Sequence, residues 1–150
     1  MRAVVQRVEK ASVSVEGRVT GSIETGLLVY VGIGKDDSTK DADWLAGKIA
    51  DMRIFPDEEY KMNLSVRDVG GSILAVSQFT LYADVRKGRR PSYDKAATPD
   101  TARSLYEHFL ERLRGTGIEI RTGEYQAMMD VSYVNKGPVT ILLDTEQGSR

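Results

Sequence analysis

Residues 26–34, GLLVYVGIG, restrict the fold more than any other segment, because they form a continuous apolar run, rich in β-formers and bounded by glycines. A run this short reads as a strand buried on both faces. Upstream, residues 3–8 and 11–16 alternate apolar and polar positions with valine enrichment, and Gly17 follows at a turn position, the pattern of two strands and a hairpin. Ser38 with Asp41 three positions later resembles a capping box in which Asp replaces Glu or Gln. Ala42, Leu45, Ala46 and Ile49 then recur at helical spacing, so a first helix is expected over about 39–52. The stretch GGSILAVSQFTLYAD predicts a further strand, with Ile73, Ala75, Ser77, Phe79 and Leu81 on one face and Leu74, Val76, Gln78, Thr80 and Tyr82 on the other. Thr98, Pro99 and Asp100 read as an N-cap, an N1 proline and an acid at the positive helix end. Ala102, Leu105, Tyr106, Phe109, Leu110 and Leu113 form the apolar stripe of this second helix, which stops near Gly115. Strands at about 117–122, 129–135 and 139–144 complete the expected pattern, the last two joined by NKGP. Strands outnumber helices and come in runs, which favours an α+β fold over a doubly wound parallel sheet. No linker or internal repeat divides residues 1–150, so a single domain is expected.

Composition narrows the chemistry. A hydrophobic fraction of 41% and a charged fraction of 29% are those of a soluble globular chain. The net charge of −1 argues against a general nucleic-acid coat, since non-specific phosphate binding needs a broad cationic field. Any RNA contact must therefore be local, and no DNA partner is expected. The chain has no cysteine, which removes disulfides, thiolate zinc sites and cysteine nucleophiles together. Its first residues are interrupted by Arg7, Glu9 and Lys10 and lack the apolar core of a signal peptide, and no run is long enough to span a bilayer. A cytoplasmic protein without a membrane partner is the expectation.

The usual catalytic sets are missing. His108 is the only histidine, and it lies off the apolar stripe beside Glu107, Glu111 and Arg112, so it is expected on a solvated helix face and a Ser-His-Asp triad is not expected. Asp36, Asp37, Asp41 and Asp43 offer a weak magnesium site, but acids at a helix start are already explained by the helix dipole. The glycines of GIGKDD match neither a P-loop nor a dinucleotide fingerprint. No metal and no cofactor are expected. An enzyme with this inventory works with hydroxyls, amides, backbone groups and the substrate itself.

Three stretches remain to carry function. Ser77, Gln78 and Thr80 sit at the end of an apolar strand, where polar residues also occur for structural reasons alone. Arg86, Lys87, Arg89 and Arg90 follow within a short loop, which is either solvated or an anion site. NKGPVT, residues 135–140, has the composition of a tight turn, with Gly137 permissive and Pro138 fixing φ.

SQFTLYAD and NKGPVT at this separation resemble the two signature motifs of the D-aminoacyl-tRNA deacylases, the D-tyrosyl-tRNA deacylase family. The likeness extends through MRAVVQRVEKASVSVEG, GLLVYVGIGKDD, KIADMRIFPDE, KMNLSV, KGRRPSYDKA and GPVTILLD. Tyr125, Gln126 and Ala127 depart from the family pattern, where a phenylalanine-glycine-alanine stretch is frequent, and Lys136 stands where an acidic or polar residue is common. The resemblance implies an α+β fold of mixed, mainly antiparallel β-sheets with two α-helices, assembled as a homodimer that hydrolyses the ester joining a D-amino acid to tRNA. Exclusion of an L side chain would leave glycyl-tRNA, which has none, accepted to some degree. The resemblance also implies that Gly137 and Pro138, joined by a cis peptide, enter the partner subunit's pocket beside Ser77, Gln78, Phe79 and Thr80. Asn135, Met129 and Arg7 complete the implied substrate-binding set, with Arg7 bracing the Gly-Pro turn, and the four loop cations are assigned to tRNA phosphates.

Two mechanisms are open to such a pocket. In one, carbonyl groups of Gly137 and Pro138 crowd out an L side chain, the terminal ribose 2′-OH assists hydrolysis, and N–H groups around Phe79 and Thr80 hold the oxyanion. In the other, Thr80 or Ser77 is the nucleophile, although no adjacent base is evident. Outside this family, a non-catalytic RNA-binding β module using Tyr82 or Tyr93 for stacking, or a general carboxylesterase built on Ser77, would also account for the motifs.

Overall fold

The computed structural model describes residues 1–148. β1 (Arg2–Val15) is one long strand where the sequence pattern points to two. It pairs antiparallel with β2 (Arg18–Ile23) and β3 (Gly26–Gly32) along one edge and with β8 (Asp130–Asp144) along the other. The interruption at Arg7, Glu9 and Lys10 marks irregular pairing: the register with β8 shifts between Gln6 and Val8 and again between Val8 and Lys10. An extra residue inverts the side-chain alternation. Ala3 and Val5 accordingly face one core, whereas Val8, Ala11 and Val13 face another.

β3 pairs in parallel with β6 (Ser72–Ser77), and β6 in parallel with β7 (Glu119–Thr122), giving the sheet order β2-β1-β3-β6-β7 with β8 on the far edge of β1. The buried run 26–34 is thus a central strand. Leu27 and Val29 pack with Ile73 and Ala75 beneath the helices, while Leu28 packs with Leu74 and Val76 on the opposite face.

The first helix, α1 (Thr39–Asp51), starts at Ser38, whose backbone N–H and hydroxyl both donate to the Asp41 carboxylate, at 2.9 and 2.7 Å. In α2 (Pro99–Arg114), Leu105, Tyr106, Phe109, Leu110 and Leu113 are buried as the stripe predicts. Thr98 occupies the N-cap, but its hydroxyl donates to that of Thr101 rather than capping a backbone group. Two small features escape the sequence patterns: a hairpin of β4 (Phe55–Pro56) and β5 (Met62–Leu64), and a single turn, α3 (Thr145–Gly148).

One expectation for a polar group needs correction. His108 is half-buried and engaged rather than a free helix-face group: its Nε2 lies 2.8 Å from Oδ1 of Asp43 on α1, and Nε of Arg112 approaches the same oxygen at 3.0 Å. The helices stack so that α2 presents both groups to one carboxylate. Asp37 is engaged too, by the amino group of Met1 at 2.5 Å. Among the described residues, no helix is long and apolar enough to cross a membrane.

Phe109 has no exposed surface and sits where α2 meets the sheet. Phe109→Ala should lower stability by about 3–5 kcal/mol, read as a drop in urea midpoint at unchanged slope.

Candidate active site

β6 does not continue through Tyr82 as the alternation predicts. Its last pairing is Ser77 with Val31, and β3 ends one residue later at Gly32, so no ladder remains to extend. Gln78 donates its N–H to the Val31 carbonyl at 2.8 Å, and residues Phe79–Tyr82 then form a 3₁₀ turn. The glycines of GIGKDD find their use here. A Cβ on Gly32 would stand 2.9 Å from the Gln78 carbonyl oxygen, and one on Gly34 would stand 2.8 Å from the Tyr82 ring, so only glycine lets the turn close onto the strand end.

This turn has the shape of an anion receptor. Phe79 and Thr80 occupy its first two positions, where helical geometry supplies no acceptor for the N–H groups. Both residues are exposed, Phe79 to 56%, while Ser77 and Gln78 are half-buried. Tyr82, at the other end, is buried, and its hydroxyl donates to Asp37 at 3.2 Å. Burial first, and the Asp37 carboxylate second, push its phenol well above the usual range, so it stays protonated.

Past the turn, Asp84 and Ser92 exchange backbone hydrogen bonds and close a loop that carries the four cations. Arg86 differs from the other three: its guanidinium clamps Asp84, which also accepts the Arg86 N–H. The Arg86 side chain's hydrogen bond, ahead of its charge, holds the Asp84 carboxyl below the usual carboxylate range. Lys87, Arg89 and Arg90 are exposed, and no ion pair engages them among the described residues. Tyr93, from the returning arm, meets Phe79 edge to face at 5.0 Å. The Phe79–Tyr93 pairing was not foreseen; the one cue was an aromatic residue just past the basic run.

The second motif is not a turn between two strands but a swelling within one. Between the Val8–Asn135 and Gln6–Thr140 partners, β1 advances two residues while β8 advances five. The Gly137–Pro138 peptide in this swelling is cis, and Gly137 has φ +119°. Asn135 organises it: its Oδ1 accepts the Val139 N–H at 3.1 Å and its Nδ2 donates to the Thr140 hydroxyl at 3.0 Å. Arg7 donates from Nε to the Lys136 carbonyl at 3.2 Å and from Nη1 to the Ile54 carbonyl at 2.6 Å. A Cβ on Gly137 would come within 2.6 Å of that guanidinium. Lys136 pairs instead with Glu9, at 2.9 Å. Met129 lies apart from this group, half-buried against the core of Val13 and Val76.

Within one chain the two motifs do not meet. Asn135, Val8, Gly26 and Ser72 form one row across the sheet, and Leu143, Ala3, Val31 and Ser77 form another, five residues further along β6. Three strand spacings and five residues of rise put the motifs on the order of 20 Å apart.

Residues 4–144 match the family model described as D-Tyr-tRNA(Tyr) deacylase. The chain belongs to that family. A D-aminoacyl-tRNA deacylase of Koribacter versatilis is 62% identical over 147 residues, covering 98% of this chain and 99% of its own. One of Thermotoga petrophila is 56% identical over the same length, with the same coverage of both chains. A solved structure named c-Myc DNA Unwinding Element Binding Protein is similar at a TM-score of 0.90 and 42% identity, covering 96% of this chain and 98% of its own. Another, of a probable eukaryotic D-amino acid tRNA deacylase, superposes with a TM-score of 0.82 at 17% identity, over 95% of this chain and 97% of its own, and shows the same fold. The deacylase family is a family of enzymes, and in this member the motif strand, the 3₁₀ turn and the Gly-Pro swelling form three defined parts.

Asn135→Ala would leave the Val139 N–H without its acceptor, so stability should fall by about 1–2 kcal/mol. Hydrogen exchange should quicken at the amides of Gly137, Val139 and Thr140 and stay unchanged in α1.

Proposed function

We propose that this deacylase-family chain works in the cytoplasm as a homodimer that hydrolyses the ester of D-aminoacyl-tRNA, and to some degree of glycyl-tRNA, as chiral proofreading during translation. The carrying observation is the exposed 3₁₀ turn whose leading N–H groups, from Phe79 and Thr80, are free of helical acceptors. Donors so placed favour the oxyanion of an ester's tetrahedral intermediate. No side-chain base competes for the role. His108 is engaged by Asp43 between the helices, and Asp84 is engaged by Arg86 and made a poorer base by it. The attacking water is instead oriented by the ribose 2′-OH next to the ester, and Ser77, Gln78 and Thr80 line the approach.

Selection against L-aminoacyl groups falls to Gly137 and Pro138, whose carbonyls crowd an L side chain and leave a D side chain pointing away. Glycine, with nothing to exclude, passes this filter. Arg7 and Asn135 hold the swelling from inside its own chain, and Met129 lines the pocket. Because the motifs stand far apart in one chain, Gly137 and Pro138 serve the 77–80 segment of a second copy. The long outer edge of β8, with Val134 and Leu142 exposed, gives that copy an apolar strand to approach. Lys87, Arg89 and Arg90 meet acceptor-stem phosphates, with Arg86 bracing the loop.

Deacylation of D-tyrosyl-tRNA, L-tyrosyl-tRNA and glycyl-tRNA tests this reading. The D substrate should react fastest, glycyl-tRNA measurably, and the L substrate at the uncatalysed rate, while a D-tyrosyl-tRNA ending in 2′-deoxyadenosine should lose at least about 100-fold in rate. Binding without turnover would instead identify an RNA-binding module. Loss of all single-turnover chemistry in both Ser77→Ala and Thr80→Ala, with binding intact, would transfer catalysis to a hydroxyl.

A further inference from the structure

We infer that Arg2, Tyr82 and Asp37 form a clamp that sets the position of the Phe79–Tyr82 turn, making them positioning residues for the reaction proposed above, on which this role rests. The front of the turn is fixed by the Gln78 N–H on the Val31 carbonyl. Its rear is fixed by side chains. Arg2 donates from Nη1 to the Leu81 carbonyl at 3.0 Å, and its guanidinium carbon lies 4.6 Å from the centre of the Tyr82 ring. Arg2 is itself held by Asp144, at 3.1 Å from Nε. The Tyr82 hydroxyl reaches Oδ2 of Asp37, which also accepts the Gly34 N–H at 2.6 Å, and Oδ1 of Asp37 faces the Met1 amino group.

Asp37 therefore ties the end of the turn to the loop after β3 and to the start of β1. Its side chain is only 4% exposed, and Tyr82 only 5%. Phe79 and Thr80 are the exposed side of the same turn. Arg2, Tyr82 and Asp37 thus act on the angle of the two N–H groups and not on the substrate. A donor displaced by a fraction of an ångström still lets substrate bind but no longer fits the oxyanion, so the clamp should govern kcat and leave KM alone.

Single-turnover and steady-state kinetics on D-tyrosyl-tRNA test it. Tyr82→Phe removes one oxygen atom and keeps the ring, and Arg2→Lys keeps the charge but loses the flat fork that both stacks and donates. Each should lower kcat by about 10-fold or more with KM changed less than about 2-fold, and Tyr82→Leu, without the ring, should fall further. Phe109→Leu, remote from the turn, supplies a comparably destabilised control whose kcat should stay at the wild-type value well below its Tm. Wild-type kcat in Tyr82→Phe and Arg2→Lys, or the same kcat loss in Phe109→Leu, would overturn the clamp. Should Arg2→Lys fold poorly, Tyr82→Phe decides. An inactive wild-type protein would instead overturn the deacylase reading, and the clamp with it.

Discussion

β1 organises the molecule, because its fourteen residues are paired along both edges, with β8 on one side and with β3 and then β2 on the other. A strand so constrained cannot slip by one residue without turning its buried side chains to the wrong face. Its irregularity near Glu9 hands the chain from the core under the helices to the core on the opposite face of the sheet. On the partner strand the same stretch lets β8 swell around Gly137 and Pro138. One pairing therefore fixes both cores and the placement of the second motif.

The same register explains the form of the candidate active site. β3 and β6 run parallel and stop together, and the chain beyond Ser77 curls into a 3₁₀ turn because its partner has ended. The turn's opening residues, Phe79 and Thr80, are exposed, and its closing residue is buried against Gly34. The proposed chemistry would rest on backbone geometry, which needs rigid support more than it needs titrating groups. Three of the acids and the histidine are engaged elsewhere: Asp43 with His108 and Arg112, Asp84 with Arg86, and Asp37 behind the turn.

Local patterns in the sequence revealed most of the elements. The helical stripe ending at Leu113, the Ser38–Asp41 cap and the doubly buried 26–34 strand all follow from side-chain period, which burial enforces. Features set by distant partners were not legible. Alternation runs on through Phe79 and Leu81, and only the end of β3 tells the chain to turn. His108 looks solvated on its own helix, since the carboxylate that meets it comes from another. The two motifs were visible as polar and glycine-proline punctuation, but their separation follows from the pairing of four strands. The basic run was visible as charge, while the removal of Arg86 by Asp84 depends on a loop closed at Ser92.

The proposed function requires that the 77–80 segment and the 137–138 segment, far apart in one chain, form one pocket between two copies. A chain without cysteines allows this to be read directly. Gln78→Cys and Lys136→Cys proteins, each bearing a single thiol, are mixed, allowed to exchange subunits and treated with a short bis-maleimide. A covalent dimer containing one chain of each kind, in a yield that falls when D-tyrosyl-tRNA occupies the pocket, is the predicted result. Full deacylase activity from a protein that stays monomeric at assay concentration, with no mixed cross-link, would contradict it.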